Sequence, residues 1–243
     1  MIKYLLGLFL FVSATYAFRG LSGELCVVTP DERGFAVHTP LKTLKIGDYL
    51  YGFNERTMKT ELAKMQGFLY VHKDFDTECV KIETEQSEFF ASHNTYIGLM
   101  HGVYFSTHTN CVRIQTNESE FDDDHDTYIG LMRNEYYSTK LKDIKLHNHA
   151  MQFNNLIIDI VGITLEKCNI DLYMPFTELG NFFVSSNCGT NIHNSLLVES
   201  YSQSASSFKK LFSITSDFYS KFNPDVNSFN HVNYTHPLVA MIA

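Results

Sequence analysis

The chain has 243 residues, 44% of them hydrophobic and 19% charged. That composition can bury a core and excludes wholesale disorder. Its 27 acidic residues against 19 Lys plus Arg leave a net charge of −8, the wrong sign for tracking phosphates, so no nucleic-acid partner is expected.

The first residues read as an address. Lys3 precedes the apolar run Tyr4 to Val12, and Ser13-Ala-Thr-Tyr-Ala17 supplies small residues before a cut. This is the pattern of a secretory signal peptide over residues 1–17, and it predicts a secreted, extracellular protein. The run is shorter than the ~20 residues a membrane helix needs, and no later segment is long and apolar enough, so the chain is not expected to span a bilayer. Cleavage after Ala17 would remove one positive charge, Lys3, and take −8 to −9.

Secretion changes how the five cysteines, Cys26, Cys79, Cys111, Cys168 and Cys188, are understood. None forms a C-x-x-C pair, which argues against zinc, and an oxidising compartment permits two bridges with one thiol left over. The sequons at Asn117 and Asn233 would mark surface loops if glycosylated. No metal or cofactor is expected. Asp122 to Asp126 lacks the ligand spacing of a known cation loop, and His147 and His149 read as surface residues.

From Glu24 to Ile160 the chain is built of short runs rich in Val, Ile, Tyr, Phe and Thr, among them 24–29, 49–53, 67–71, 78–84 and 155–163. Closely spaced turn residues separate them, which predicts an all-β fold. An internal duplication interrupts the series. Residues 78–109 and 110–141 match at 17 positions with an offset of 32, including Cys79/Cys111, His93/His125 and the whole Thr-Tyr-Ile-Gly-Leu-Met run. Two copies are too few for a solenoid, so one copy is expected in the core and the other as an insertion. Copy one joins better to the segment before residue 78, and copy two to the segment after residue 141. Cys79 and Cys111 are expected as buried free thiols rather than a bridge to each other. Beyond residue 202 the tail, 203–243, starts with small polar residues. Phe208, Leu211, Phe212, Phe218, Tyr219 and Phe222 then recur at spacings that put one apolar stripe on a helix. That stripe over 208–222 is the candidate surface for a lipid, sterol or protein partner.

Several blocks together carry a family resemblance. They are Gly20-Leu-Ser-Gly-Glu-Leu-Cys-Val-Val-Thr-Pro30, Leu41-Lys-Thr-Leu-Lys-Ile-Gly-Asp-Tyr-Leu50, Cys79-Val-Lys-Ile-Glu-Thr84 with His93 nine residues later, Leu172-Tyr-Met-Pro-Phe-Thr-Glu-Leu-Gly180, and Leu197-Val-Glu-Ser-Tyr-Ser202. In this order they resemble the Hint domain of the hedgehog autoprocessing region, most of all that of divergent hedgehog-related proteins of nematodes. The resemblance covers about residues 20–202 and implies a Hint-type β fold over 18–202.

It also implies a self-splitting reaction. An initiating Cys attacks the carbonyl of its preceding residue, a Thr-x-x-His motif assists the departing amide, and a later Cys helps. This sequence departs from that pattern at each place. The initiating Cys falls on Gly20, the Thr on Phe90 in copy one and Asp122 in copy two, and the late Cys on Ser200. Only His93 and His125 remain. A position used in sterol transfer falls near Tyr70 and His72. Cleavage after Ala17 would leave only Phe18 and Arg19 before Gly20, so little would be released. The expectation is a secreted, intein-like autoprocessing scaffold that has lost its chemistry. The enzymatic alternative is cysteine-dependent self-cleavage by Cys26 with His93 or His125.

Overall fold

The computed structural model describes residues 20–107, 114–115, 120–121, 129–189, 191–200, 214 and 234–235. The expected signal segment 1–17, Cys111, Asn117, His125, Asn233 and most of the 208–222 stripe, on which a lipid, sterol or protein partner is expected, lie outside the described residues.

Alternating and near-continuous β-branched and aromatic runs become strands, in the order β1 (Leu21–Ser22), β2 (Cys26–Pro30), β3 (Ala36–Pro40), β4 (Tyr49–Asn54), β5 (Lys59–Thr84), β6 (Glu88–Ser92) and β7 (Tyr96–Thr107). After these come β8 (Ile114–Gln115), β9 (Glu120–Phe121), β10 (Ile129–Lys140), β11 (His149–Met151), β12 (Ile157–Thr177), β13 (Asn181–Ser185), β14 (Leu196–Glu199) and β15 (Tyr234–Thr235). The fold is all-β, as expected. The expected runs 67–71 and 78–84 are two stretches of one 26-residue strand, β5. The run 155–163 continues to Thr177 as β12.

β5 and β12 pair antiparallel from Thr84 opposite Ile160 to Met65 opposite Thr177, with four register shifts that bend the ribbon. The connected sheet runs β15-β5-β6-β1-β12-β11-β7-β14-β13-β2-β3, with β10 on β7 and β4 on β5. A main core of aliphatic and aromatic side chains, including Leu21, Leu50, Met65, Ile82, Phe89 and Phe176, lies inside this curl. A smaller one gathers Val28, Phe53, Met100, Met151, Phe153, Phe183 and Leu197. Burying each such large side chain contributes roughly 1.5–3 kcal/mol.

Two segments one hundred positions apart fold alike. Leu41–Thr43 and Leu141–Asp143 are single 3-10 turns, each with a buried leucine at its head. Each is followed by a left-handed residue, Gly47 at φ 101° and His147 at φ 63°. Asp48 Oδ2 accepts from the Lys45 N–H and Asn148 Oδ1 from the Lys145 N–H, both at 2.8 Å. The Gly47 N–H reaches Met65 O and the His147 N–H reaches Ile160 O, both at 2.9 Å. The fold is therefore two similar halves that clasp each other through β5 and β12.

The duplication is spliced into the second half. β7 and β10 carry equivalent residues of the two copies and pair with each other, Tyr96 opposite Lys140 through Thr107 opposite Ile129. Gly102 faces Asn134, its own counterpart in the second copy. The body takes copy one through Met100, where β11 pairs with β7, and copy two from Tyr136 onward. The expectation that one whole copy sits in the core and the other outside is thus corrected. Each copy contributes one strand of a hairpin, because strand pairing joins the ends of a tandem repeat as readily as the strands within one copy.

This makes the copies unequal. Ala91 is fully buried, and its counterpart is Asp123. Deleting residues 102–133 should leave a folded protein, since loop length changes closure entropy by only ~0.6 kcal/mol per doubling. Deleting 78–109 puts a carboxylate at the Ala91 position and should cost about 3–5 kcal/mol. Thermal denaturation of the two deletions checks this, and equal midpoints would contradict the spliced arrangement.

Candidate functional site

Gly20 enters the fold beside β12, just ahead of Leu21 opposite Tyr173. Its backbone is clamped from copy one. The Gly20 N–H donates to Thr95 Oγ1 at 3.0 Å, and the Thr95 hydroxyl donates to Gly20 O at 3.0 Å. The Ser92 N–H also donates to Gly20 O at 3.0 Å. Ser92 and Thr95 are fully buried, so these bonds are shielded from water and strengthened by the low local dielectric. A Cβ at Gly20 would lie 2.5 Å from Leu172 Cδ2 and 3.3 Å from Tyr173 O. The position that the family resemblance assigns to a nucleophile thus has no thiol, and the end of the Leu172 side chain lies where one would begin.

His93 sits between Ser92 and Thr95, with both ring nitrogens engaged. Nδ1 is 2.9 Å from Glu78 O, a carbonyl that can only accept, and Nε2 is 2.7 Å from Asn94 Nδ2, an amide that can only donate. The Glu78 carbonyl fixes a hydrogen on Nδ1. Asn94 is almost fully buried, and its Oδ1 has no hydrogen-bond partner among the described residues. Ser200, at the late-cysteine position, is buried. It donates from Oγ to Pro175 O at 2.6 Å and from its N–H to Gly180 O at 2.9 Å. Ser200 is thus fastened to β12, and Gly20 to the end of β6 and the turn after it.

The cysteines are partnered otherwise than expected. Cys26 is buried in β2 and bonded to Cys188, with Cα atoms 5.4 Å apart. Cys79 in β5 is bonded to Cys168 in β12, with Cα atoms 5.9 Å apart. Cys79 is therefore not a free thiol. The β5–β12 register puts Thr77 opposite Cys168 and Glu166 opposite Cys79, so the two cysteines lie diagonally within reach of a bridge. The Cys26 sulfur that the enzymatic alternative needs as a thiolate is oxidised, and a disulfide sulfur is no nucleophile. Cys26 and His93 are held by different partners. Two bridges form, as the count allowed, and the cysteine outside them is Cys111.

Near the position compared with sterol transfer, Tyr70 is buried and His72 half-buried, their ring centroids 6.2 Å apart. Burial pushes the His72 imidazole pKa down. Next to it Lys73 Nζ bonds Asp171 Oδ2 at 2.7 Å and the Tyr173 hydroxyl at 2.5 Å. Partial burial alone would raise Asp171, but Lys73 and the Asp74 N–H outweigh it and hold the carboxyl below its usual value. The edge of β5 at Tyr70 and Val71 is covered by β15, with Thr235 opposite Tyr70 and Tyr234 opposite Val71.

Sequence reasoning missed Thr95 and Ser92, the residues that hold Gly20. The signal for Thr95 was its place at the head of the repeated Thr-Tyr-Ile-Gly-Leu-Met run. The signal for Ser92 was the contrast with Asp124 at the same place in copy two. Among the described residues no cluster of His, Cys, Asp or Glu is arranged to hold a metal ion. No described helix is long and apolar enough to cross a membrane.

No family model and no curated protein matches the chain. Solved structures similar to it are inteins or intein-like. An intein from a hyperthermophile has a TM-score of 0.48 at 10% identity, over 75% of this chain and 99% of that one. A bacterial intein-like domain from Clostridium thermocellum has 0.46 at 11%, over 74% and 97%. A DnaB intein from Synechocystis sp. PCC 6803 has 0.45 at 16%, over 75% and 98%.

The crowding at Gly20 predicts a specific pattern of stabilities. G20C should cost about 1–3 kcal/mol by overpacking, and L172A about 2–5 kcal/mol by opening a cavity. The double variant should lose clearly less than the sum, because each change relieves the other. Additive losses in chemical denaturation would place Leu172 away from Gly20.

Proposed function

We propose that the protein is a secreted hedgehog-related Hint protein, built on an autoprocessing scaffold whose self-cleaving chemistry has been lost. The observation that carries this reading is the filled nucleophile position, where Leu172 occupies the space a side chain on Gly20 would need. Three further features support it. His93 spends both nitrogens on Glu78 and Asn94. Ser200 spends its hydroxyl on a backbone carbonyl. Cys26 is tied up in a disulfide. What the scaffold retains is the clamp on the Gly20 backbone and the clasp of two similar halves. The signal-like start and the two disulfides agree with an oxidising, extracellular setting.

The test is intact-mass measurement of protein beginning at Phe18, incubated with dithiothreitol or hydroxylamine. One undivided chain is expected. A fragment beginning at Cys26 that is absent from C26A would instead establish the cysteine-dependent alternative.

The tail supports an internal docking role, because its described strand, β15, adds to the edge of β5. A truncation ending at Gln203 should lower the thermal midpoint by a few degrees and leave liposome flotation unchanged. An unchanged midpoint, with flotation of the full chain alone, would favour lipid binding by 208–222.

A further inference from the structure

Among the described residues Glu199 is the only acidic or basic side chain in the fully buried class, with 3% exposure. It ends β14, opposite Tyr96 of β7 on one side and Asn181 of β13 on the other. Its carboxyl Oε1 accepts from the Tyr136 hydroxyl, which belongs to β10. β7 lies between β14 and β10, so this contact has to cross a strand. Gly98 makes the crossing possible. A Cβ there would lie 2.9 Å from Tyr136 Cε2, 3.0 Å from the Tyr136 hydroxyl and 2.8 Å from Leu197 Cδ2. The tyrosine ring also packs on Phe53, with centroids 5.1 Å apart.

We infer that buried Glu199 is a proton-operated latch: while its carboxyl is neutral the end of β14 stays packed across Gly98 against the second strand of the duplicated hairpin, and when it ionises the buried charge, which the Tyr136 hydroxyl offsets only in part, loosens the strand end. The groups around Glu199 come from every neighbouring element. β10 supplies the hydroxyls of Tyr136 and Ser138, β7 supplies Tyr96 with Lys140 Nζ 5.9 Å from its ring centroid, β13 supplies Asn181, and Glu55 lies just after β4. The lysine is not among the groups that shift Glu199, and Glu55 opposes a second negative charge. Glu199 Oε2 has no hydrogen-bond partner among the described residues. A carboxylate here would bury a full charge that the Tyr136 and Ser138 hydroxyls offset only in part, whereas the neutral acid buries a dipole without a net charge.

Burial dominates and raises the Glu199 pKa to about 7 from 4.5, with the two hydroxyls pulling the other way. Between those values the folded state binds one proton more than the unfolded chain. The latch therefore stabilises most fully below about pH 4.5, weakens as pH rises through the window, and contributes least above about pH 7. Because β14 leads directly to Ser200 and the tail, the strand that loosens is the one connecting the body to residues 201–243.

The experiment compares wild type with E199Q and Y136F in thermal denaturation and amide hydrogen exchange, from about pH 5 to about pH 8. The wild-type midpoint should fall relative to that of E199Q as pH rises. Exchange at Leu196–Glu199 and Tyr136–Lys140, corrected for intrinsic base catalysis, should accelerate in wild type alone. Y136F removes a hydroxyl that favours the charged form, so it should move the transition to higher pH. Parallel wild-type and E199Q midpoints across the range would overturn the latch. So would a transition in Y136F at the wild-type pH, which is readable even if E199Q fails to fold.

Discussion

The antiparallel pairing of β5 with β12 is the constraint on which the rest depends. Each strand follows one of the two similar turns, at 41–48 and 141–148. Their mutual ladder satisfies backbone groups that would otherwise be bare, and it buries the apolar faces of both halves together. From this ribbon hang the Gly20 entry at Leu172 and Tyr173, the Cys79–Cys168 bridge, the tail strand on Tyr70 and Val71, and the Pro175 carbonyl that receives Ser200.

That dependence also explains how the Gly20 entry is held. Thr95 and Ser92 hold the Gly20 backbone because the ends of β1, β6 and β12 converge there, whatever side chain residue 20 carries. Leu172 packs into the space beside Gly20, and its packing opposes a larger side chain there. The histidine likewise has settled into bonds with Glu78 and Asn94 that rigidify the turn joining β6 to β7.

The duplication shows how a fold absorbs an insertion. Identical strands from the two copies pair with each other, so the added residues lengthen a hairpin without requiring a new layer. Divergence is then confined by burial. Ala91, Leu99 and Leu141 line the core and carry the body's requirements, and at the first and last of these places the other copy has Asp123 and Thr109. Tyr136 in copy two has acquired a partner, Glu199, that lies across the intervening strand.

Composition and alternation determined that the chain would be a β protein with a core. The order of its blocks, from Leu41-Lys-Thr to Tyr173-Met-Pro, marked its likeness to a Hint domain, and the offset of 32 was legible by comparison within the chain. These are local or additive properties. Tertiary structure alone decided that Cys26 meets Cys188 and Cys79 meets Cys168, across separations of 162 and 89 residues. It alone decided that the core joins two half-copies, that Leu172 fills the space at Gly20, and that Glu199 is buried beneath a tyrosine from another strand. Each of these depends on which strands become neighbours. That choice is made by the global burial of apolar faces and by the register of the β5–β12 ladder, neither of which any short window of sequence contains.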